Sequence, residues 1–498
     1  MTGKSAQHVA KNVSYLFVSQ LITWSLSLAV AILVPRHFGP SGVGTYHLAS
    51  SLWNITALII GFGVDVIITR EVARDHAMLS PLVTVGMVLR IAFHALGYSA
   101  LVIFAHVAGY SAETMQLIYI FGVANFAFQI GHVCSAALYG LEIMGYMSLV
   151  SVLTELISTG GIILLIFLDQ PMISLGVVSI VVGVVRAALL FHVLRSSYPI
   201  RFEMRLSLAP WLLRTSSTIL GNRLVRNLYA QADVIFISLF VNVQVVGWYS
   251  TADTVFGSLL FVANIISTAF FPVMSRLQEQ GSDALAQLAR QGIRWLLLAA
   301  IPIGLGTAVL ATPLLVLVLG EEFRPAGAAL SGFGLVTILT SANVFLAQIL
   351  ICMDRQNRLT VLMLAAVLFT LPVDFVLIPW TQNAWQNGAL GGVLAYLMTE
   401  TFILVGSIWS LPWQLFDRET TIYGIKIGGA GLIMVGLTWP FRQTLIVYPV
   451  SIGAVTYILL ILASGALSEN ELATGYDLLQ QTRRQMLKPV QRVLLKIT

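Results

Sequence analysis

Asn222, Arg223, Arg226, Asn227, Gln231 and Asp233 are set into a stretch otherwise made of Leu, Val, Ile, Ala, Tyr and Phe. At about 100° per residue they fall on one half of a helical wheel, while Leu224, Val225, Leu228, Ala232, Ile235, Phe236 and Leu239 fill the other. Arg223 and Arg226 are three residues apart and therefore neighbours on the helix surface. Planar guanidinium groups suit bidentate binding of phosphate oxygens, so this face predicts recognition of an anion. The competing arrangement pairs Arg226 with Asp233 and lets Arg223 reach for the aqueous surface.

Buried acids are the second kind of candidate. Glu155 and Glu400 lie deep in apolar stretches with no basic residue near them in sequence. Together with Asp233 they are candidates for coupling transport to a proton or sodium ion, the alternative being a hydrogen bond to a neighbouring helix. Asp65, Asp253 and Asp374 sit nearer the ends or turns of their segments, where a capping or packing role is expected. Arg70, Glu71 and Arg74 read as a salt-bridge cluster at a membrane surface.

The elements that must carry these residues follow from composition. Of 498 residues 57% are apolar and only 10% charged, against about 25% charged in a soluble domain, and the mean hydropathy is +0.87. A soluble surface cannot be covered with so few charges. A spanning helix needs about 20 mostly apolar residues. Such runs occur at about 13–35, 44–68, 82–108, 114–140, 146–168, 172–194, 211–240, 246–274, 293–319, 327–352, 359–378, 388–411, 422–439 and 444–465, which makes fourteen. The expected fold is an all-α integral membrane protein with fourteen transmembrane helices, and the polar face singled out above belongs to the seventh.

Loops that remain cytoplasmic carry the excess of Lys and Arg. The odd-numbered loops hold only Arg36, Arg324 and Arg442, and Arg90, Arg186, Arg223 and Arg226 lie inside spans; the remaining basic residues fall in even-numbered loops and the two ends. Both termini are expected in the cytoplasm and the chain in the cytoplasmic (inner) membrane. The net charge of +5 is thus spread along one membrane face, which excludes a concentrated nucleic-acid site. Residues 467–498 place apolar side chains at helical spacing among basic ones, as in an interfacial helix on anionic lipid. Cys134 and Cys352 both lie in apolar segments and form no disulfide framework or metal-ligand spacing.

Two segments repeat. Val43-Gly44-Thr45-Tyr46-His47-Leu48-Ala49 opens the second span and Val246-Gly247-Trp248-Tyr249-Ser250-Thr251-Ala252 the eighth, with Val, Gly, Tyr and Ala matching at an offset of 203. An even number of spans separates them, so the two halves have the same orientation in the membrane. The same offset pairs Arg223 with Gln20, which shares a milder polar stripe with Thr23, Trp24 and Ser27.

The run Phe38-Gly39-Pro40-Ser41-Gly42-Val43-Gly44-Thr45-Tyr46, followed by Gly61-Phe62-Gly63-Val64-Asp65 and Thr69-Arg70-Glu71-Val72-Ala73-Arg74, resembles the start of the polysaccharide-transporter branch of the multidrug/oligosaccharidyl-lipid/polysaccharide (MOP) exporters. Asp233 followed by the Val246–Ala252 segment is similar to that family's mid-chain pattern. The resemblance implies two pseudo-symmetric six-helix lobes around a central cavity, with two further C-terminal helices: an N-lobe over 1–200, a C-lobe over 201–411 and the added pair over 412–466. It also implies a flippase moving an oligosaccharide on a polyprenyl pyrophosphate across the cytoplasmic membrane by alternating access. On that reading Arg223 and Arg226 meet the pyrophosphate, Asn222, Asn227, Gln231 and Gln20 meet sugar hydroxyls, and membrane lipids and H+ or Na+ are the remaining partners.

No phosphate-binding Gly-x-x-x-x-Gly-Lys loop, His-Glu-x-x-His pair or His/Cys cluster occurs. Neither an enzyme nor a self-contained ATP-driven pump is therefore expected, and no cofactor. The nearest rival is an ion-coupled multidrug or organic-cation antiporter on the same fold, which would favour carboxylates over arginines in its cavity.

Overall fold

The structure is a computed structural model that describes residues 3–278, 282–415 and 417–465. The interfacial helix expected over 467–498 lies outside the described residues. Fifteen α-helices follow one another: α1 Gly3–Gly61, α2 Val64–Arg74, α3 Leu79–Val107, α4 Ala112–Gly140, α5 Met144–Phe167, α6 Ser174–Ser197, α7 Leu208–Phe240, α8 Val243–Leu259, α9 Phe261–Gln278, α10 Ser282–Leu319, α11 Ala326–Cys352, α12 Gln356–Trp385, α13 Gly388–Ser410, α14 Arg418–Thr438 and α15 Val447–Ala463. The described residues contain no strand.

Each of the fourteen expected spans falls on helix. The first two are the arms of α1 on either side of Gly39, whose φ of 66° and ψ of 179° turn the chain, and α2 prolongs the second arm. The eighth is α8 and α9, broken at Leu260. Eleven helices are long and apolar enough to cross a membrane. The difference has three local causes: α1 holds two spans, α15 has only 17 residues, and the polar stripe of α7 lowers its hydropathy. A helix like α7 is tolerated in lipid where other helices cover it.

Short joints are closed by side-chain caps that satisfy the open backbone N–H groups of a new helix. Asn242 Oδ1 accepts from the Val245 amide at 2.9 Å, and Asp417 Oδ1 from the Thr420 amide at 2.7 Å. At Asp417, outside the spans, burial pushes the carboxyl pKa up. The Thr420 hydrogen bonds and the Arg290 and Arg294 charges outweigh this, and the net shift is below the usual carboxylate value.

Successive crossings give the molecule two faces. One carries the Gly39 turn and the α3–α4, α7–α8 and α10–α11 joints; the other carries the α2–α3, α6–α7 and α11–α12 joints and most of the basic loop residues. On the Gly39 face α1 crosses α8 at backbone contact: a Cβ on Gly44 would meet the Val243 carbonyl oxygen at 1.7 Å, and one on Gly247 would meet that of Pro40 at 1.9 Å. The offset of 203 pairs Pro40 with Val243 and Gly44 with Gly247, so the repeated segments touch each other reciprocally. Around this crossing Phe256 stacks on Phe333 at 4.8 Å, and Trp53 Nε1 donates to the Ile118 carbonyl at 2.9 Å. In lipid, where water drives no burial, such small-residue packing and interhelical hydrogen bonds hold helices together.

Candidate functional site

The helix α7 runs between α1, α2 and α3 on one side and α8, α12 and α13 on the other. Its entry is set by the break at Phe62 and Gly63, both at positive φ. A Cβ on Gly63 would press on Ile219 at 2.9 Å and on the Ser216 carbonyl at 3.3 Å. Glycine there serves both the left-handed backbone and the approach of α7.

Two residues beyond that break stands Asp65. Arg90 of α3 donates to it from Nη2, and from Nη1 to Gln129 of α4. Gln129 is itself held by the Ala57 carbonyl at 3.1 Å and Asn125 at 3.3 Å. Arg223 Nη1 lies 3.8 Å from the other Asp65 oxygen, with 35% of the Arg223 side chain exposed. Of the capping or packing role expected for Asp65, the structure gives no cap bond: its carboxylate neutralises a buried arginine and meets a second one.

The remaining predicted contacts on α7 differ in exposure. Asn222 and Arg226 are exposed, Asn227 and Gln231 half-buried. No ion pair reaches Arg226 among the described residues, and Asn227 Oδ1 is buried without a donor. Gln20 is exposed, its carbonyl accepting from Thr23 at 3.1 Å.

Asp233 departs from the polar face expected of it. It is 3% exposed, accepts from the Tyr249 hydroxyl at 2.5 Å and meets Asp374 of α12 within hydrogen-bonding range. The pairing of Arg226 with Asp233 is thereby excluded in this structure. Asp374 is fully buried, and neither of its oxygens receives a donor from another group. Two facing carboxylates in such a place would repel each other strongly. Of the capping or packing role expected for Asp374, the cap is corrected, because Asp374 lies in the middle of α12, fully buried and away from either helix end.

Glu400 of α13 accepts from Tyr229 of α7 at 2.8 Å and from Asn343 of α11 at 2.6 Å. It ties three helices, as its structural alternative anticipates. Glu155 of α5 accepts from Ser27 of α1 at 2.8 Å. The predicted acids are therefore not gathered: Asp233 and Glu400 stand among α7, α8, α11, α12 and α13, and Glu155 among α1 and α5. Sequence reasoning gave Asp65 and Asp374 only a capping or packing role and named no partner for Arg90 or Gln129. The available signal was Arg90 itself, an arginine inside a span that needs a counter-charge. No group of three or more His, Cys, Asp or Glu among the described residues is placed to hold a metal ion, and both cysteines are buried and free.

Comparison with solved structures gives the fold. The lipid II flippase MurJ in an inward closed conformation superposes with a TM-score of 0.71 at 15% identity, covering 89% of this chain and 97% of that one. A multidrug resistance MATE family transporter of the MOP superfamily, inward-facing, gives 0.62 at 12% identity, covering 80% and 97%. A MOP superfamily transporter from Pyrococcus furiosus, described as having a binding pocket of reverse polarity, gives 0.55 at 14% identity, covering 80% and 94%. No curated protein matches the chain. A family model described as polysaccharide biosynthesis protein matches residues 9–278, more than half of the sequence and the part that carries α1 to α9. With the helices, the α7 site and these matches together, the chain belongs to the polysaccharide biosynthesis protein family and has the fold of the MurJ and MATE structures.

Proposed function

We propose that the protein flips an oligosaccharide linked to a polyprenyl pyrophosphate across the cytoplasmic membrane, from a site lined by α7, by alternating access of two lobes. The observation that carries this reading is the pair of exposed or half-exposed arginines inside a membrane span. Charge is expensive in hydrocarbon unless it faces water or a ligand, and Arg226 is exposed with no ion pair among the described residues while Arg223 keeps only a 3.8 Å contact. A polar sugar cannot cross lipid without losing its hydrogen bonds, and Asn222, Asn227, Gln231 and Gln20 offer replacements. The lobes are taken as 1–200 and 201–411, with 412–466 added outside. The reciprocal Gly44 and Gly247 contact supports that division, since repeats related by an axis along the membrane normal touch in this way. The face rich in arginine is taken as cytoplasmic, with both termini on it.

Coupling to H+ or Na+ is assigned to Asp233 with Asp374. Glu155 and Glu400, each held by hydroxyl or amide donors, are the weaker candidates. The rival antiporter reading draws on the same buried acids, which are what a cation carrier would use.

The test is movement of a fluorescent polyprenyl-pyrophosphate oligosaccharide in proteoliposomes. Arg223→Ala/Arg226→Ala is expected to slow it by about tenfold or more, the size of losing charge-assisted bonds to phosphate, with helicity and melting unchanged. Asp374→Asn is expected to keep movement down the substrate gradient and lose its response to an imposed proton or sodium gradient. Export of organic cations by a wild type that moves no such lipid would transfer the assignment to the antiporter.

A further inference from the structure

Two segments on the arginine-rich face turn large apolar side chains away from the protein. The first, 198–207, is the irregular stretch between α6 and α7, where Phe202 is 82% and Leu206 73% exposed. The second, 409–415, carries the chain out of α13, which returns to the face of the α11–α12 joint after two crossings. There Trp409 is 84% and Trp413 74% exposed. The offset of 203 pairs Leu206 with Trp409, so the two exits hold equivalent places in the repeat.

Both segments are fixed to the helices behind them. The Arg201 and Glu203 amides donate to Ser80 Oγ and Thr84 Oγ1 of α3, each at 3.2 Å, and Tyr198 and Ile200 pack against the core that contains Leu79 and Leu82. At the second exit Arg355 Nη1 donates to the Ser410 carbonyl at 2.5 Å and Arg290 Nη1 to that of Gln414 at 2.7 Å, with Leu411 and Leu415 buried. The pinned backbone therefore divides its apolar side chains, some into the core and four outward. Exposed apolar clusters of this kind call for a cover. Both segments adjoin spans, which puts them where lipid headgroups begin, and Trp, Phe and Leu beside basic residues are the side chains that settle at that level.

The free charges select the lipid. Arg205 is spent on Glu203 at 2.6 Å and Arg290 on Asp417 at 3.3 Å. Arg195 and Arg201 beside the first segment and Arg418 beside the second are exposed, and no ion pair reaches them among the described residues. A surplus of guanidinium at the level of the headgroups draws anionic phosphates.

We propose that the two exits are interfacial anchors: Phe202 with Leu206, and Trp409 with Trp413, sit at the boundary of headgroups and acyl chains, while Arg195, Arg201 and Arg418 hold the phosphates of anionic phospholipids. The anchoring is independent of the substrate and stands apart from the flippase reading. The first anchor is pinned to α3 and the second belongs to α13, so helices on both sides of α7 are each held to the lipid surface.

The test places the full chain, with one fluorophore on Ser207→Cys or on Gln414→Cys, in mixed vesicles of phosphatidylcholine and phosphatidylglycerol. Both positions are exposed, and the two native cysteines are buried. One lipid or the other carries bromine high in its acyl chains and quenches on contact. Brominated phosphatidylglycerol is expected to quench each label about fivefold more than brominated phosphatidylcholine at the same mole fraction, the enrichment that one surface arginine gives. Arg195→Gln/Arg201→Gln should remove the difference at 207 and leave it at 414, and Arg418→Gln should do the reverse. Phe202→Ser/Leu206→Ser should lower quenching by both lipids at 207. A label on Gln170→Cys, in the exposed α5–α6 joint of the Gly39 face, should show no preference. Equal quenching by the two lipids at 207 and 414 overturns the anionic partner. Absence of quenching by either shows that these side chains stand in water or against a protein, and overturns the anchors. A preference that survives both arginine variants belongs to the charge of the whole face and overturns its assignment to the two segments.

Discussion

Glu400 shows how a buried acid can hold helices together. Its two oxygens are taken by the Tyr229 hydroxyl and the Asn343 amide, while Asn343 Oδ1 is buried with no donor. A glutamine can go on accepting from the Asn343 amide, which also donates to the Glu400 backbone carbonyl at 2.9 Å, and turn its own N–H toward the Tyr229 hydroxyl oxygen. Glu400→Gln is therefore expected to cost less than about 1 kcal/mol. Glu400→Ala leaves the Asn343 amide on that carbonyl and strands the Tyr229 hydroxyl, a loss of about 1–3 kcal/mol. Melting of the purified protein in detergent, read by intrinsic fluorescence, separates the two. If both variants melt alike, the tie between α7, α11 and α13 is not what Glu400 provides. At this scale the sequence marks Arg223 and Arg226 because both signals, a charge in a span and an i, i+3 spacing, are local. It cannot mark Asp65 as the partner of Arg223 or Asp374 as the neighbour of Asp233. Arg90 and Arg223 reach Asp65 from two other helices, and nothing along the chain tells which helices adjoin.

The crossing of α1 and α8 depends on the absence of side chains at two positions. A Cβ at Gly44 or Gly247 would have to occupy the place of a backbone carbonyl on the other helix, at 1.7 Å and 1.9 Å. No rotamer change relieves that, so the helices must part. Gly44→Ala and Gly247→Ala are each expected to destabilise by about 3 kcal/mol, the upper range for overpacking. The double variant should cost much less than the sum, since one separation accommodates both. Gly257→Ala in α8, where a Cβ meets nothing within 4 Å, is the control and should be neutral or slightly stabilising. Thermal unfolding of the four proteins checks this, and additive losses would mean that the two glycines do not share a crossing. The helices were legible in the sequence because hydropathy over some twenty residues reports directly on lipid burial. The repeated Val-Gly motif was legible too, but its meaning was not: that the two copies pack on each other needs the third dimension. The break between the first two spans was legible as well, because Gly39 and Pro40 stand between two apolar runs and Gly39 takes the non-helical backbone that turns the chain there.

Closure of the whole molecule differs between its two faces. The Gly39 face is joined by the backbone contact of α1 with α8 and by the Tyr110 hydroxyl and Ser238 at 2.9 Å. On the opposite face the link between α7 and α2 is the packing of Gly63 against Ser216 and Ile219 and the Asp65–Arg223 pair. An ion pair of 3.8 Å with both partners about one-third exposed is weak, whereas carbonyl-to-glycine contact is lost only when the helices separate. The arginine-rich face should therefore open more readily, and a transport cycle must still break the Gly39 face once per turnover. Tyr110→Cys/Ser238→Cys joined by a short bis-maleimide tests this, as the two native cysteines are buried and react slowly. Cross-linked protein is expected to bind a polyprenyl pyrophosphate as wild type does, because the site is reached from the other face, and to lose flipping by about tenfold or more. The uncross-linked double variant should flip normally, which separates the tether from the substitutions. Flipping that survives complete cross-linking would mean that the substrate passes without separation of α3–α4 from α7 on this face, and the rocking of two lobes would give way to a path along the lipid-facing side of α7.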